Sequence, residues 1–210
     1  MTNTQLWLSL LHNAFVALAV LGGCGAFFLR GGQGNMQQSR WKALVYFTVD
    51  SNLLCALSCL AAAVWEALAL IRGDGALLPR WLDLCKLAAA TAVGVTFFTV
   101  LFYLLPVTHF DFRLMYAGRN FFLHALCPLA AMAAWALTER GEPLAFGWAL
   151  LGLVPTLLYG AVYVWMVLVK KQWEDFYRFN AGGKWYVSLA AMLALSFGIA
   201  AALLALRGLA

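Results

Sequence analysis

The chain of 210 residues is 64% hydrophobic and 11% charged, against about half and a quarter in a soluble globular domain. Too few charged side chains remain to cover a water-facing surface, and the apolar content equally excludes a disordered chain. The net charge of +5, from 14 Lys+Arg and 9 Asp+Glu, is too thinly spread for a phosphate-binding stripe, so no nucleic-acid partner is expected.

What remains is an all-α polytopic membrane protein. Backbone groups in hydrocarbon must be satisfied internally, and a helix needs about 20 apolar residues to cross. Six runs meet that length, near residues 6–29, 43–71, 87–105, 120–138, 143–169 and 185–206. They predict a single six-helix transmembrane domain over residues 1–210, with connections short enough to join antiparallel neighbours.

The first run lacks a basic leader region and carries His12 and Asn13, so it reads as a span rather than a cleaved signal peptide. Gly31–Gly34 follows as a turn. The second run contains Asp50 and Glu66, and its Thr48, Ser51, Asn52 and Cys55 recur at i, i+3, i+4 and i+7 on one helix face. Asp50 points away from that face. Taken singly, hydroxyls and amides of this kind serve as helix-interface hydrogen bonders.

The third run repeats the pattern with Thr96, Thr99 and Tyr103. In the fourth, His124 lies four residues before Pro128, which deprives the His124 carbonyl of its helical partner and predicts a bend. Asn120 sits one turn before the histidine. The fifth run places Pro155, Tyr159 and Tyr163 on one face. After it, Trp173–Asn180 mixes aromatic and charged residues and reads as an interfacial belt or lid. The sixth run, 185–206, carries no charge.

Nine cations fall in the first, third and fifth connections and five, Lys86 among them, on the other side. This excess predicts cytoplasmic odd-numbered connections and external termini. The five cysteines lie in or beside apolar runs, which argues against a disulfide framework. His109, Asp111 and His124 have no metal-ligand spacing, and neither a metal nor another cofactor is expected.

Ionisable and polar groups inside spans are costly and often mark function. The second and fourth runs start from the same side, so Thr48 and His124 are expected at similar depth, about 6–10 Å in.

Six spans, Phe47-Thr48-x-x-Ser51-Asn52, Val95-Thr96 with Tyr103, and His124-x-x-x-Pro128 together resemble a bacterial group of six-span proteins. That group is distantly akin to the androgen-induced-gene and androgen-dependent tissue-factor-pathway-regulating proteins. The eukaryotic relatives hydrolyse fatty acid esters of hydroxy fatty acids with a threonine nucleophile and a histidine. The resemblance implies an intramembrane lipid-ester hydrolase with Thr48 as nucleophile and His124 as base. Asn52 and Asn120 are then candidate oxyanion donors, and Ser51, Thr96, Tyr103 and Tyr159 candidate substrate contacts. Membrane lipid and a lipid-like substrate are the expected partners. Two other readings stand beside it: a transporter or channel with Asp50, Glu66 and His124 as a relay, and a non-catalytic membrane scaffold.

Overall fold

The computed structural model describes residues 3–30, 40–75 and 77–209. Among them, six helices are long and apolar enough to cross a membrane: α1 Asn3–Arg30, α2 Phe47–Arg72, α3 Arg80–Val107, α4 Arg119–Thr138, α5 Phe146–Val169 and α6 Trp185–Leu209. No β-strand occurs among the described residues, and the protein is an all-α six-helix bundle. The Gly31–Gly34 turn expected from sequence lies outside the described residues.

α3 is the axial helix. It packs against α2, α4, α5 and α6, while α1 lies outside against α2 and α4. Small residues permit this crowding: Ala56, Ala62, Ala89, Ala92 and Ala131 are all buried, and without side-chain bulk helices approach closely enough for dispersion to hold them. Leu11, Leu18, Leu57, Val64, Phe102, Leu150 and Leu158 face outward and exposed, as side chains do that meet acyl chains rather than water.

Gly152 marks the tightest approach. A Cβ there would meet the Ala200 Cβ at 2.6 Å and Thr91 Cγ2 at 3.0 Å, where α5, α6 and α3 converge. Gly152→Val is therefore expected to cost about 1–3 kcal/mol through overpacking, read as a lower unfolding midpoint in detergent.

Helix ends follow local chemistry. Gly73 adopts φ 71° and returns its N–H to Leu70 O and Ala69 O, which closes α2 in the left-handed geometry that glycine takes without strain. The second and fourth connections meet on one side of the bundle, where the Leu78 N–H donates to Arg140 O at 2.9 Å.

Three boundaries depart from the sequence reading. α2 begins at Phe47, after a separate 3₁₀ turn at Arg40–Val45, so Thr48 lies in the first turn, shallower than expected. α3 begins at Arg80 rather than near residue 87, because Asp83 and Lys86 find partners inside the bundle. α5 opens with a 3₁₀ stretch, Phe146–Gly152. Before Pro128 the helix widens into a π-helical turn at Phe122–Leu126, a local departure from α-geometry often found at functional sites.

Candidate functional site

Two polar centres lie inside the bundle, at opposite ends of α2 and α3. The first is a cavity of about 380 Å³ between α2, α3, α5, α6 and the connection before α6. Its wall is mostly apolar, from Phe47, Val95, Val100, Leu104, Leu189 and Met192, with the hydroxyls of Thr48, Thr96, Thr99, Tyr103, Thr156, Tyr159, Tyr177 and Ser188 set into it. The two polar faces read from sequence converge here. Thr48 belongs to the α2 face, and Thr96, Thr99 and Tyr103 supply the α3 stripe. Ser51 Oγ and Thr96 Oγ1 share a hydrogen bond of 2.9 Å that ties the two helices together.

The connection between α5 and α6 covers this cavity, with Tyr177, Arg178, Phe179 and Ala181 in its lining. Asp175 fixes its shape. Its carboxylate accepts the Phe179 N–H at 2.7 Å, the Asn180 N–H at 2.8 Å and the Tyr163 O–H at 3.0 Å. Within this turn Arg178 adopts φ 50°, a left-handed conformation unusual for an arginine. The Tyr177 hydroxyl accepts the Phe47 N–H at 3.1 Å, at the orphaned start of α2, and Tyr177 lines the cavity beside Thr48 and Tyr159. Burial holds the Tyr177 phenol above the ordinary tyrosine value.

His124 sits elsewhere. It is 1% exposed, and its Nδ1 lies 2.6 Å from Met115 O, in a short helix, Phe112–Tyr116, that folds over the start of α4. A carbonyl only accepts, so Nδ1 carries the proton and, in the neutral ring, the lone pair is on Nε2. Tyr116 packs edge-on against the imidazole, with ring centroids 6.4 Å apart. No hydrogen bond joins Thr48 to His124 among the described residues, and His124 does not line the cavity.

Asn52 stands between them. Its Nδ2 donates to Thr48 O at 2.8 Å and to Leu123 O at 3.1 Å, so α2 and α4 do touch at this depth, a point that spacing alone leaves open. Asn52 Oδ1 is buried without a donor among the described residues. Asn120 directs its Nδ2 to Leu114 O at 3.1 Å. Asp50 faces a separate groove with Ser51, Pro155, Tyr159 and Trp173. Asp111 caps the Phe112–Tyr116 helix by accepting the Leu114 N–H at 2.9 Å. No group of three His, Cys, Asp or Glu residues is close enough to hold a metal ion among the described residues.

The second centre is ionic. Lys86, 2% exposed, pairs with Glu139, 0% exposed, at 2.7 Å. Its ammonium also donates to Asn13 Oδ1 and to Cys59 Sγ, the latter at 3.1 Å. Three acceptors thus meet three donors. Asn13 in turn donates to both Glu66 oxygens, at 3.3 and 3.2 Å, and the Ser9 hydroxyl donates to the same carboxylate. Beside this chain, Asp83 pairs with Arg207 and accepts the Trp135 indole N–H at 3.0 Å.

Sequence reasoning places Lys86 among the connection cations, and the structure corrects this: the charge is buried and paired. The signal available was i, i+3 and i, i+4 spacing, in Asp83/Lys86, Ser9/Asn13 and Trp135/Glu139, which puts polar groups on shared helix faces. Tyr177 is the other omission, and a loop residue has no periodicity to reveal it.

Comparison with models of known families, with curated proteins and with solved structures returns no match.

Proposed function

We propose that this integral membrane protein admits a lipid-like ester into the hydroxyl-rimmed cavity and hydrolyses it with Thr48 as nucleophile, in keeping with the family resemblance carried by Thr48, Ser51, Asn52, Thr96, Tyr103 and His124. The observation that supports the reading is the cavity itself. An apolar hollow of about 380 Å³ suits one acyl chain, and Thr48 in its wall offers an oxygen to the carbonyl of that chain. His124, whose Nε2 carries the lone pair, is the base of this mechanism. It acts on Thr48 once ligand entry turns the imidazole, or through one intervening water.

The test is labelling of the full chain in detergent by an alkyl fluorophosphonate. Labelling lost in Thr48→Ala and suppressed by a long-chain ester supports the proposal. An unlabelled wild type that still binds the ester reduces the protein to a lipid-binding scaffold.

A second reading, ion transport, draws on the Lys86, Glu139, Asn13 and Glu66 chain at the other end. Against it, Ala89, Ala92 and Val93 fill α3 between the two centres, and among the described residues no pair of interrupted helices in the two halves suggests alternating access. Proton flux into proteoliposomes that is lost in Glu66→Gln would favour transport over hydrolysis.

The proposed orientation has the odd-numbered connections in the cytoplasm and the termini outside. A cysteine at Gln33 is then expected to resist an impermeant thiol reagent in intact cells and to react after permeabilisation. Reaction in intact cells reverses the assignment.

A further inference from the structure

The cavity holds more hydroxyls than any one reaction uses, and following their protons separates structural groups from chemical ones. Tyr159 donates its O–H to Val45 O at 2.6 Å, Tyr103 to Tyr177 O at 3.1 Å, and Ser188 to Phe179 O at 2.7 Å. Thr156 shares a hydrogen bond of 2.8 Å with Ser196, as Ser51 does with Thr96. The Asn52 amide has both hydrogens on carbonyls. Thr99 turns its hydroxyl to the Met192 sulfur at 3.7 Å. Among the described residues, two O–H groups in the wall are then left without an acceptor of their own: Thr48, and Tyr177 beside it. The Tyr177 oxygen already accepts the Phe47 N–H, which orients the phenol and leaves its proton free to point into the hollow.

We propose that Tyr177 is the oxyanion donor of the cavity, a catalytic residue for the ester hydrolysis on which this inference rests. Thr48 Oγ forms a bond to the ester carbonyl carbon and gives its proton to His124 Nε2. The carbonyl π pair moves onto oxygen, and the Tyr177 O–H donates a hydrogen bond to that oxygen. The pair then returns, the C–O bond to the alcohol breaks, and the leaving alkoxide takes the proton from His124. Water repeats the sequence on the acyl-threonine and releases the acid. A donor must keep its proton to do this, and the burial that raises the Tyr177 phenol keeps it neutral. The Asn52 and Asn120 amides, nominated by spacing, are committed to Thr48 O, Leu123 O and Leu114 O.

The experiment is hydrolysis of p-nitrophenyl decanoate by the full chain in nanodiscs. Tyr177 is replaced by phenylalanine and by fluorinated tyrosines of graded acidity, at a pH where each phenol stays protonated. Tyr177→Phe is expected to lower kcat about a hundredfold, with KM changed less than about threefold. Among the fluorinated side chains kcat rises with phenol acidity, a trend that a packing role would not produce. A flat series with Thr48→Ala inactive overturns Tyr177 as donor and leaves hydrolysis at Thr48 standing. A wild type that fails to turn over, or Thr48→Ala as active as wild type, overturns the hydrolytic reading and this inference with it.

Discussion

Alanine at Glu139 is expected to destabilise the bundle by about 3–5 kcal/mol, a fall of roughly 6–20 °C in the unfolding midpoint. Lys86 is 2% exposed and Glu139 0%, so removing the carboxylate strands an ammonium in a low-dielectric interior with only the Asn13 carbonyl and a cysteine sulfur as acceptors. The loss measured is the cost of that unpaired charge, not the worth of the pair. A double replacement separates the two. Lys86→Met with Glu139→Leu removes both charges and is expected to recover most of the midpoint, since well-packed apolar residues often replace a buried pair at no net cost. Thermal unfolding in detergent, followed by size-exclusion chromatography, reads both variants. A Glu139→Ala midpoint within a degree or two of wild type would mean that water reaches Lys86.

Thr48→Ala and His124→Ala are each expected to lower kcat on a lipid ester by at least about a thousandfold, and the double variant to be no worse than either alone. In the proposed hydrolysis nucleophile and base act as one unit, so removing either removes the step. Thr48→Ser retains measurable turnover, because a primary hydroxyl keeps the reacting oxygen. The double variant is the informative comparison. Losses that multiply would place His124 in a structural role, holding the Phe112–Tyr116 helix over α4 through Met115 O, and would leave Thr48 to be activated by another group.

The spans were legible because bilayer thickness dictates a run length that composition alone reveals. So were the polar faces: Thr48, Ser51, Asn52 and Cys55 are all buried, and Thr96, Thr99 and Tyr103 all reach the cavity. Helical spacing reports the azimuth of a residue relative to its own helix, and that carries over; depth does not where the helix starts later than its apolar run, as at Phe47. It does not report how one helix is rotated against another. That is why Thr48 and His124, on touching helices, turn to the cavity and to Met115 O rather than to each other. Charge was misleading for the same kind of reason. A hydropathy reading ends a span at Asp83 or Lys86, yet Arg207 and Glu139 from distant helices neutralise them. Tyr177 takes its position from Asp175, whose carboxylate shapes the covering connection, and that arrangement leaves no periodic trace.

The Ala89–Val93 stretch of α3 separates Lys86 from Thr96, ten residues apart on one helix and hence about 15 Å. At that separation, with no shared partner, perturbations of the two centres combine additively. The molecule can therefore vary one end without retuning the other: substitutions that reinforce the ionic half leave the hollow half as it was.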